Sequence, residues 1–345
     1  MKHIIESKPQ TVAAQVKLLT VDENSDGQRL DNFLIRHLTG VPKTHIYRII
    51  RSGEVRVNKG RANADSRVAT GDVVRLPPVR LSERAEQKKE RMAQAAGSGQ
   101  AQANFPVVWE DEYFLAINKP AGVAVHGGSG VSFGVIEQLR MARPQAPFLE
   151  LVHRIDRETS GLLLIAKKKS ALKNLQEQFR SRETGKVYLA SVTGLWPEKR
   201  KVLDKPLHKT TVNEGTSAEE RRVKVVPKDH PDGMPALSLV KVRATTPARG
   251  ELPQGASLLE VTIKTGRTHQ IRVHLATEGC PILGDDKYGD FDLNKALAAA
   301  SAPLPLKRMF LHAWKLQCKH PLTGEALELQ ADLAPELARF VRAAF

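Results

Sequence analysis

The run His153-Arg154-Ile155-Asp156-Arg157-Glu158-Thr159-Ser160-Gly161 sets one acid among basic neighbours just ahead of the apolar stretch Leu162-Leu163-Leu164-Ile165-Ala166. The apolar stretch reads as a buried strand and Thr159-Ser160-Gly161 as the turn into it, so the Asp156 carboxylate stands at a strand entrance. An aspartate is ionised at neutral pH and can act as a nucleophile or as a base. A loop carboxylate held by a rigid strand suits catalysis. On the local pattern alone, an aspartate capping a turn, with solvated arginines beside it, accounts for the same residues.

Other chemistries lack their residues. The sequence contains no Walker A pattern, no G-x-G-x-x-G, no H-E-x-x-H and no G-x-S-x-G elbow. In His153-Arg154-Ile155-Asp156 the acid falls one position later than in a kinase catalytic loop, and no Asp-Phe-Gly partner exists. His269 and His274 have a spacing that neither a helix face nor a strand face aligns, so no metal pair is expected there. Cys280 and Cys318 stand far apart without a C-x-x-C and read as two reduced thiols. No cofactor is expected.

The elements that must position these residues fall into three regions. Near the N-terminus, Leu30, Phe33, Leu34 and Leu38 form an apolar stripe that predicts a helix ending at Gly40-Val41-Pro42. A second helix follows Pro42, with Ile46, Tyr47, Ile49 and Ile50 inward and Lys43, Arg48 and Arg51 toward solvent, and Ser52-Gly53 ends it. Short strands are expected at Glu54-Val55-Arg56-Val57 and Asp72-Val73-Val74-Arg75-Leu76, joined through a basic turn with Lys59, Gly60 and Arg61. Residues 81–104 are poor in large apolar side chains and read as a flexible linker, with an exposed helix possible over 84–95. Residues 105–345 carry strand-like runs at Val107–Trp109, Phe114–Asn118, Gly161–Ala166, Lys186–Val192 and Leu258–Lys264. Helical spacing appears at Ser170–Arg180 and Leu293–Ala300, and a further helix opens at Thr268 with Ile271 and Leu275 inward. Strands and helices do not strictly alternate, which favours an α+β fold over a doubly wound sheet.

Lys and Arg total 53 against 38 Asp and Glu, a formal charge of +15 that attracts polyanions. The N-terminus has no uninterrupted apolar stretch, and no later segment reaches the length of a membrane span, so the cytoplasm is the expected compartment.

Leu151 to Lys167 resembles the HRLDxxTSGLLLxAK signature of the RluA-type pseudouridine synthase family, which acts on large-subunit ribosomal RNA and tRNA; Ile155 stands where Leu is usual. Asn118 to His126, Lys186 to Gly194, Thr265 to His274 and Gly279 to Gly289 resemble further segments of that family in the same order. Residues 18–80 resemble the S4 RNA-binding domain, and Val202 to Pro253 follows the family poorly. The resemblance implies a mixed, mainly antiparallel catalytic domain over 105–345 behind a small αβ RNA-binding domain. It implies uridine isomerisation in large-subunit ribosomal RNA by a monomer that needs neither cofactor nor membrane. Asp156 would be the catalytic carboxylate, Arg272 its ion-pair partner and Tyr188 the active-site tyrosine. Arg154 would hold the opened RNA, with Arg48, Arg51, Lys59, Arg61 and Arg267 as further RNA contacts. A non-catalytic RNA-binding assembly factor would explain the charge and the N-terminal module, but it leaves the motifs around Asp156 without a purpose.

Overall fold

A computed structural model describes residues 16–38, 41–78, 105–127, 134–212, 220–299 and 301–345. The expected linker and exposed helix within 81–104 lie outside the described residues. The chain divides into two compact units, Met1–Gln102 and Ala103–Phe345.

In the first unit, strands β1 (Lys17–Thr20), β2 (Arg56–Val57) and β3 (Val73–Leu76) form an antiparallel sheet in the order β1-β3-β2. Helices α1 (Leu30–His37) and α2 (Lys43–Arg51) bury Leu30, Phe33, Leu34, Ile46, Ile49 and Ile50 in one cluster with Val55 and Val74. Tyr47 departs from the expected inward set: it is exposed, and its hydroxyl donates to the buried Asp31 carboxylate at 3.0 Å. Asp31 also takes a 2.7 Å bond from Arg29, so the polar end of Tyr47 gains a charged acceptor that packing inside the core would forfeit. The strand expected from Glu54 starts only at Arg56, because the backbone N–H groups of Glu54 and Val55 are taken by the Ile49 carbonyl at the end of α2.

In the second unit, a ten-stranded sheet runs β4 (Val107–Glu110), β5 (Phe114–Lys119), β7 (Ser160–Ala166), β14 (Leu311–Lys319), β8 (Gly185–Thr193), β13 (Ala256–Ile263), β12 (Leu237–Thr246) and β9 (Val202–Asp204). Beside this path, β6 (Glu150–Leu151) pairs with β7 and β15 (Ala326–Gln330) with β14. Among the described residues only the β7–β14 pair is parallel, so the sheet is mixed and mainly antiparallel as expected. A separate antiparallel pair, β10 (Leu207–Val212) and β11 (Glu220–Val225), occupies the stretch that follows the family poorly. Helices α3 (Val135–Ala142), α4 (Lys169–Arg180), α5 (Gln270–Thr277), α6 (Phe291–Ala298) and α7 (Pro335–Ala344) complete the unit.

Both faces of the central strands are covered. Leu115, Ile117, Leu163 and Ile165 enter one apolar cluster, while Phe114, Ala116, Leu162 and Leu164 enter another. A strand buried on two faces loses polar alternation, which explains why β7 reads as a continuous apolar run. At its start, Gly161 has φ of +108°, and a Cβ there would lie 2.2 Å from the Ala313 carbonyl oxygen of β14. Gly161→Ala is therefore expected to destabilise the protein by about 1–3 kcal/mol, read as a lower urea midpoint with an unchanged slope.

Behind this strand lies a buried polar chain. Arg308 donates to Ser160 Oγ at 2.7 Å, Ser160 donates to His312 Nδ1 at 2.9 Å, and His312 Nε2 donates to the Ala331 carbonyl at 3.1 Å. The carbonyl can only accept, which assigns the single ring proton to Nε2. Burial pushes the His312 pKa from 6.5 down to about 4, and burial likewise pushes His153 down to about 3. Both rings are neutral in the fold but protonate more readily in the unfolded chain. Their contribution is complete above the unfolded-state value and is lost as pH falls toward the folded one, at roughly 1.4 kcal/mol per pH unit per histidine. Urea midpoints should fall steadily between about pH 6.5 and 4.

Candidate active site around Asp156

The loop between β6 and β7 is pinned on both sides of Asp156. Ile155 is buried in the cluster beneath β5 and β7. Following it, the Arg157 carbonyl accepts from Lys119 Nζ at 3.0 Å and from the Gly122 N–H at 2.9 Å. Lys119 is fully buried and also donates to the Pro120 and Val123 carbonyls, each at 2.8 Å. Burial, reinforced by the nearby Arg308, pushes its pKa down to about 7. The backbone closes with Thr159 N donating to the Asp156 carbonyl at 3.2 Å. Between these fixed points the Asp156 side chain keeps 24% exposure, so the carboxylate is held yet reachable.

Arg272, on α5, is 3% exposed and makes a two-pronged pair with the fully buried Asp285, from Nε to Oδ2 and from Nη2 to Oδ1, each 2.7 Å. Nη2 also meets Asp286 at 3.0 Å. The remaining nitrogen, Nη1, faces Asp156 Oδ2 at 4.0 Å. The expected Arg272–Asp156 pair is thus a long one, and the short partner is Asp285. Burial opposes the charge on both members, but their bonds prevail: the Arg272 pKa lies above and the Asp285 pKa below its ordinary range. Asp285 is completed by the backbone N–H groups of Lys287 at 2.8 Å and Tyr288 at 3.0 Å. A guanidinium whose fork is already fixed presents its free edge to Asp156 in one direction.

Tyr188 sits on β8 opposite Val261 of β13 and Ala313 of β14, and its ring packs against two apolar clusters. Burial and the Asp156 charge raise its pKa. A further pair adjoins them. His269 Nδ1 lies 2.8 Å from the Tyr288 hydroxyl, and that hydroxyl accepts from the Val223 N–H at 3.1 Å. One proton is shared between the phenol oxygen and Nδ1, so the Tyr288 hydroxyl links the His269 ring to the β11 backbone. Burial lowers the His269 pKa, with Asp156 opposing the shift. The Arg272 guanidinium lies over the Tyr288 ring at 5.2 Å.

The helix expected from Thr268 begins at Gln270, with His269 as N-cap in the left-handed region at φ 52°. Gln270 explains the delay: its Oε1 accepts from Thr265 Oγ1 at 2.8 Å and from the Arg267 N–H at 3.1 Å, and its Nε2 donates to the Leu237 carbonyl at 3.0 Å. These bonds cap the turn from below and tip His269 toward Tyr288. The helix buries Gln270, Arg272 and His274 along with Ile271 and Leu275, because polar partners meet it on the sides that solvent would otherwise occupy. His274 serves such a role between Ser238 Oγ and the Lys205 carbonyl, at 3.0 and 2.9 Å, so the two histidines take separate partners.

Among the other expected RNA contacts, Arg154 is exposed two residues before Asp156. Arg267 is half-buried and donates to the Pro235 carbonyl at 3.2 Å. Arg48, Arg51, Lys59 and Arg61 are exposed on the first unit. There Arg48 pairs with Glu54 at 3.4 Å, Lys59 stands in a left-handed turn, and Arg61 folds over Gly53 at the end of α2. His269 was weighed from sequence only as half of an unexpected metal pair, and Asp285 and Tyr288 were not singled out. Their signal is the Gly284-Asp285-Asp286-Lys287-Tyr288-Gly289 segment, an acidic turn of the kind a buried arginine requires.

Residues 113–277 match the RNA pseudouridylate synthase family and residues 28–74 match the S4 domain. The chain is 46% identical over 328 residues to ribosomal large subunit pseudouridine synthase C of Pasteurella multocida (strain Pm70), covering 95% of this chain and 94% of that protein. It is 46% identical over 323 residues to the protein of the same name from Yersinia pestis, covering 93% of each. Among solved structures, human RNA pseudouridylate synthase domain containing 4 superposes with a TM-score of 0.56 at 25% identity, over 73% of this chain and 97% of that one. Pinned carboxylate, oriented arginine and half-buried tyrosine thus sit within a sequence shared along nearly the whole chain, which belongs to the RNA pseudouridylate synthase family.

Proposed function

We propose that this chain converts specific uridines of large-subunit ribosomal RNA to pseudouridine, with Asp156 as the catalytic carboxylate. The observation that carries the reading is the Asp156 carboxylate held at a reachable site, 4.0 Å from an arginine already locked by Asp285. In the reaction the bond from ribose C1′ to uracil N1 breaks, a bond from C1′ to C5 forms, and the C5 hydrogen leaves as a proton. Nothing is oxidised and no group is transferred to another molecule. Asp156 acts on the sugar as nucleophile or base, and Arg272 directs it.

Tyr188 remains protonated at neutral pH because burial and Asp156 disfavour its phenolate. It enters as a stacking ring and a hydrogen-bond donor beside the uracil. Tyr188→Phe is expected to slow single-turnover product formation by about 100-fold while leaving RNA affinity unchanged. Arg154, exposed beside Asp156, contacts the RNA around the extruded nucleotide, whose unstacking costs about a few kcal/mol. The S4 domain and the +15 charge supply backbone binding that offsets this cost and weakens with salt. The monomeric state and the cytoplasmic compartment belong to the same reading.

The test is release of tritium from large-subunit ribosomal RNA labelled at uridine C5. Stoichiometric release by the purified protein supports the proposal. Binding without release would instead make the chain a non-catalytic assembly factor.

A further inference from the structure

We infer that His208, His230 and Asp232 form a binding site for a divalent transition-metal cation, of which Zn2+ is the natural probe. His208 lies on β10, while His230 and Asp232 lie in the turn between β11 and β12. One donor atom from each falls within 4.8 Å of the other two, and this is the one such cluster among the described residues. The two rings are 5.0 Å apart between centroids and tilted by 40°.

The backbone builds this meeting. Leu207 and Met234 exchange both of their N–H···O bonds at 2.9 Å, which brings the next residue, His208, against the turn. Within the turn, His230 N donates to the Pro227 carbonyl at 3.1 Å and Gly233 N to the His230 carbonyl at 2.9 Å. A Cβ on Gly233 would sit 3.0 Å from that carbonyl and 3.2 Å from Val226, so the tight turn suits glycine.

The donor chemistry is selective. His208 Nδ1 lies 3.4 Å from the Asp232 backbone carbonyl, which can only accept, so Nδ1 carries the proton and Nε2 offers a lone pair. At His230 the Nδ1 lone pair already takes the Asp232 N–H at 3.2 Å, a weak donor that a cation would replace. The Asp232 side chain is exposed, and the nearest basic residue of the turn, Lys228, is engaged by Asp204 at 2.7 Å. Two imidazole nitrogens and one carboxylate oxygen suit Zn2+ far better than Mg2+ or Ca2+, with water as the fourth ligand. Tetrahedral coordination at about 2.0–2.1 Å spaces donors about 3.3 Å apart, so the two half-buried rings and the exposed Asp232 carboxylate close by only about 1–2 Å.

Such an ion would staple β10 to the base of β12. Leu207, Val223, Ala236 and Val273 already share one apolar cluster, and Val223 bonds the Tyr288 hydroxyl beside the Asp156 site. Occupancy would therefore steady the β10–β11 pair where it borders that site. The inference does not depend on the proposed reaction.

Isothermal titration of the full-length protein with Zn2+ should show one equivalent bound at micromolar or tighter affinity. His208→Ala and Asp232→Asn should each weaken it at least about tenfold while melting curves stay unchanged, because the His208 hydrogen bond and ring contact lie within the cluster and Asp232 is exposed. The X-ray absorption spectrum of the bound zinc should show nitrogen and oxygen ligands without sulfur, which distinguishes the site from Cys280 and Cys318. Hydrogen exchange across Leu207–Val212 and Glu220–Val225 should slow on Zn2+ addition. The inference is overturned if no stoichiometric binding occurs, if sulfur ligates, or if a His208→Ala/His230→Ala double variant binds as the parent does.

Discussion

Asp156→Asn is expected to lower tritium release from C5-labelled RNA by about 10⁴-fold or more while leaving RNA affinity and thermal stability close to wild type. Removing a residue that acts directly on the reacting atoms costs about 10⁴–10⁶ in other enzymes, and an amide of the same shape keeps the loop geometry. Stability should change by no more than about 0.5 kcal/mol, because Asp156 is partly exposed and its ion pair with Arg272 is a long one at 4.0 Å. Arg272 keeps Asp285, so no buried charge is orphaned. Asp156→Glu retains the charge but displaces it by a methylene, and should still lose about 100-fold. Circular dichroism melts, filter binding and single-turnover release separate these effects.

Asp285→Ala should have the largest effect on stability. Its carboxylate is fully buried, accepts both prongs of the Arg272 fork and takes two backbone N–H groups. Removing one member of a buried, hydrogen-bonded ion pair costs about 3–5 kcal/mol, because the other charge stays buried without its partner. Asp286 at 3.0 Å is mostly exposed and cannot replace the lost fork. Activity should fall as well, since Arg272 is then free to swing toward Asp156 as a close pair and occupy the carboxylate needed by the ribose. Arg272→Met should cost a similar amount by stranding Asp285. The double variant Arg272→Met/Asp285→Leu should be more stable than either single variant, an interaction that a double-mutant cycle in urea reads directly.

Local pattern made Asp156 visible, since a turn signal followed by a doubly buried strand marks where a carboxylate can be held. It leaves catalyst and cap both open; the catalytic reading comes from the segments that resemble a family. The central strands were legible because burial on both faces gives continuous apolar runs, as in Gly161–Ala166. β10 and β11 were not read, because their alternation is interrupted by charged and polar residues. Arg272 was found, yet its short partner was missed: Asp285 is near in sequence but meets the fork through a turn that periodicity does not encode. Tyr47 failed for the opposite reason, its apolar ring counting toward an inward face while the ring stays exposed and its hydroxyl reaches the buried Asp31 carboxylate. The buried Arg308–Ser160–His312 chain joins residues too distant in sequence for any local signal.

The central claim is that the Asp156 carboxylate drives uridine isomerisation in large-subunit ribosomal RNA. Its most direct test is chemical mapping of pseudouridine in that RNA from a strain lacking the gene, complemented with either the wild-type chain or Asp156→Asn. Specific pseudouridines should vanish in the deletion, return with wild type and stay absent with Asp156→Asn. If every pseudouridine persists in the deletion, or if Asp156→Asn restores them as fully as wild type, the account is contradicted.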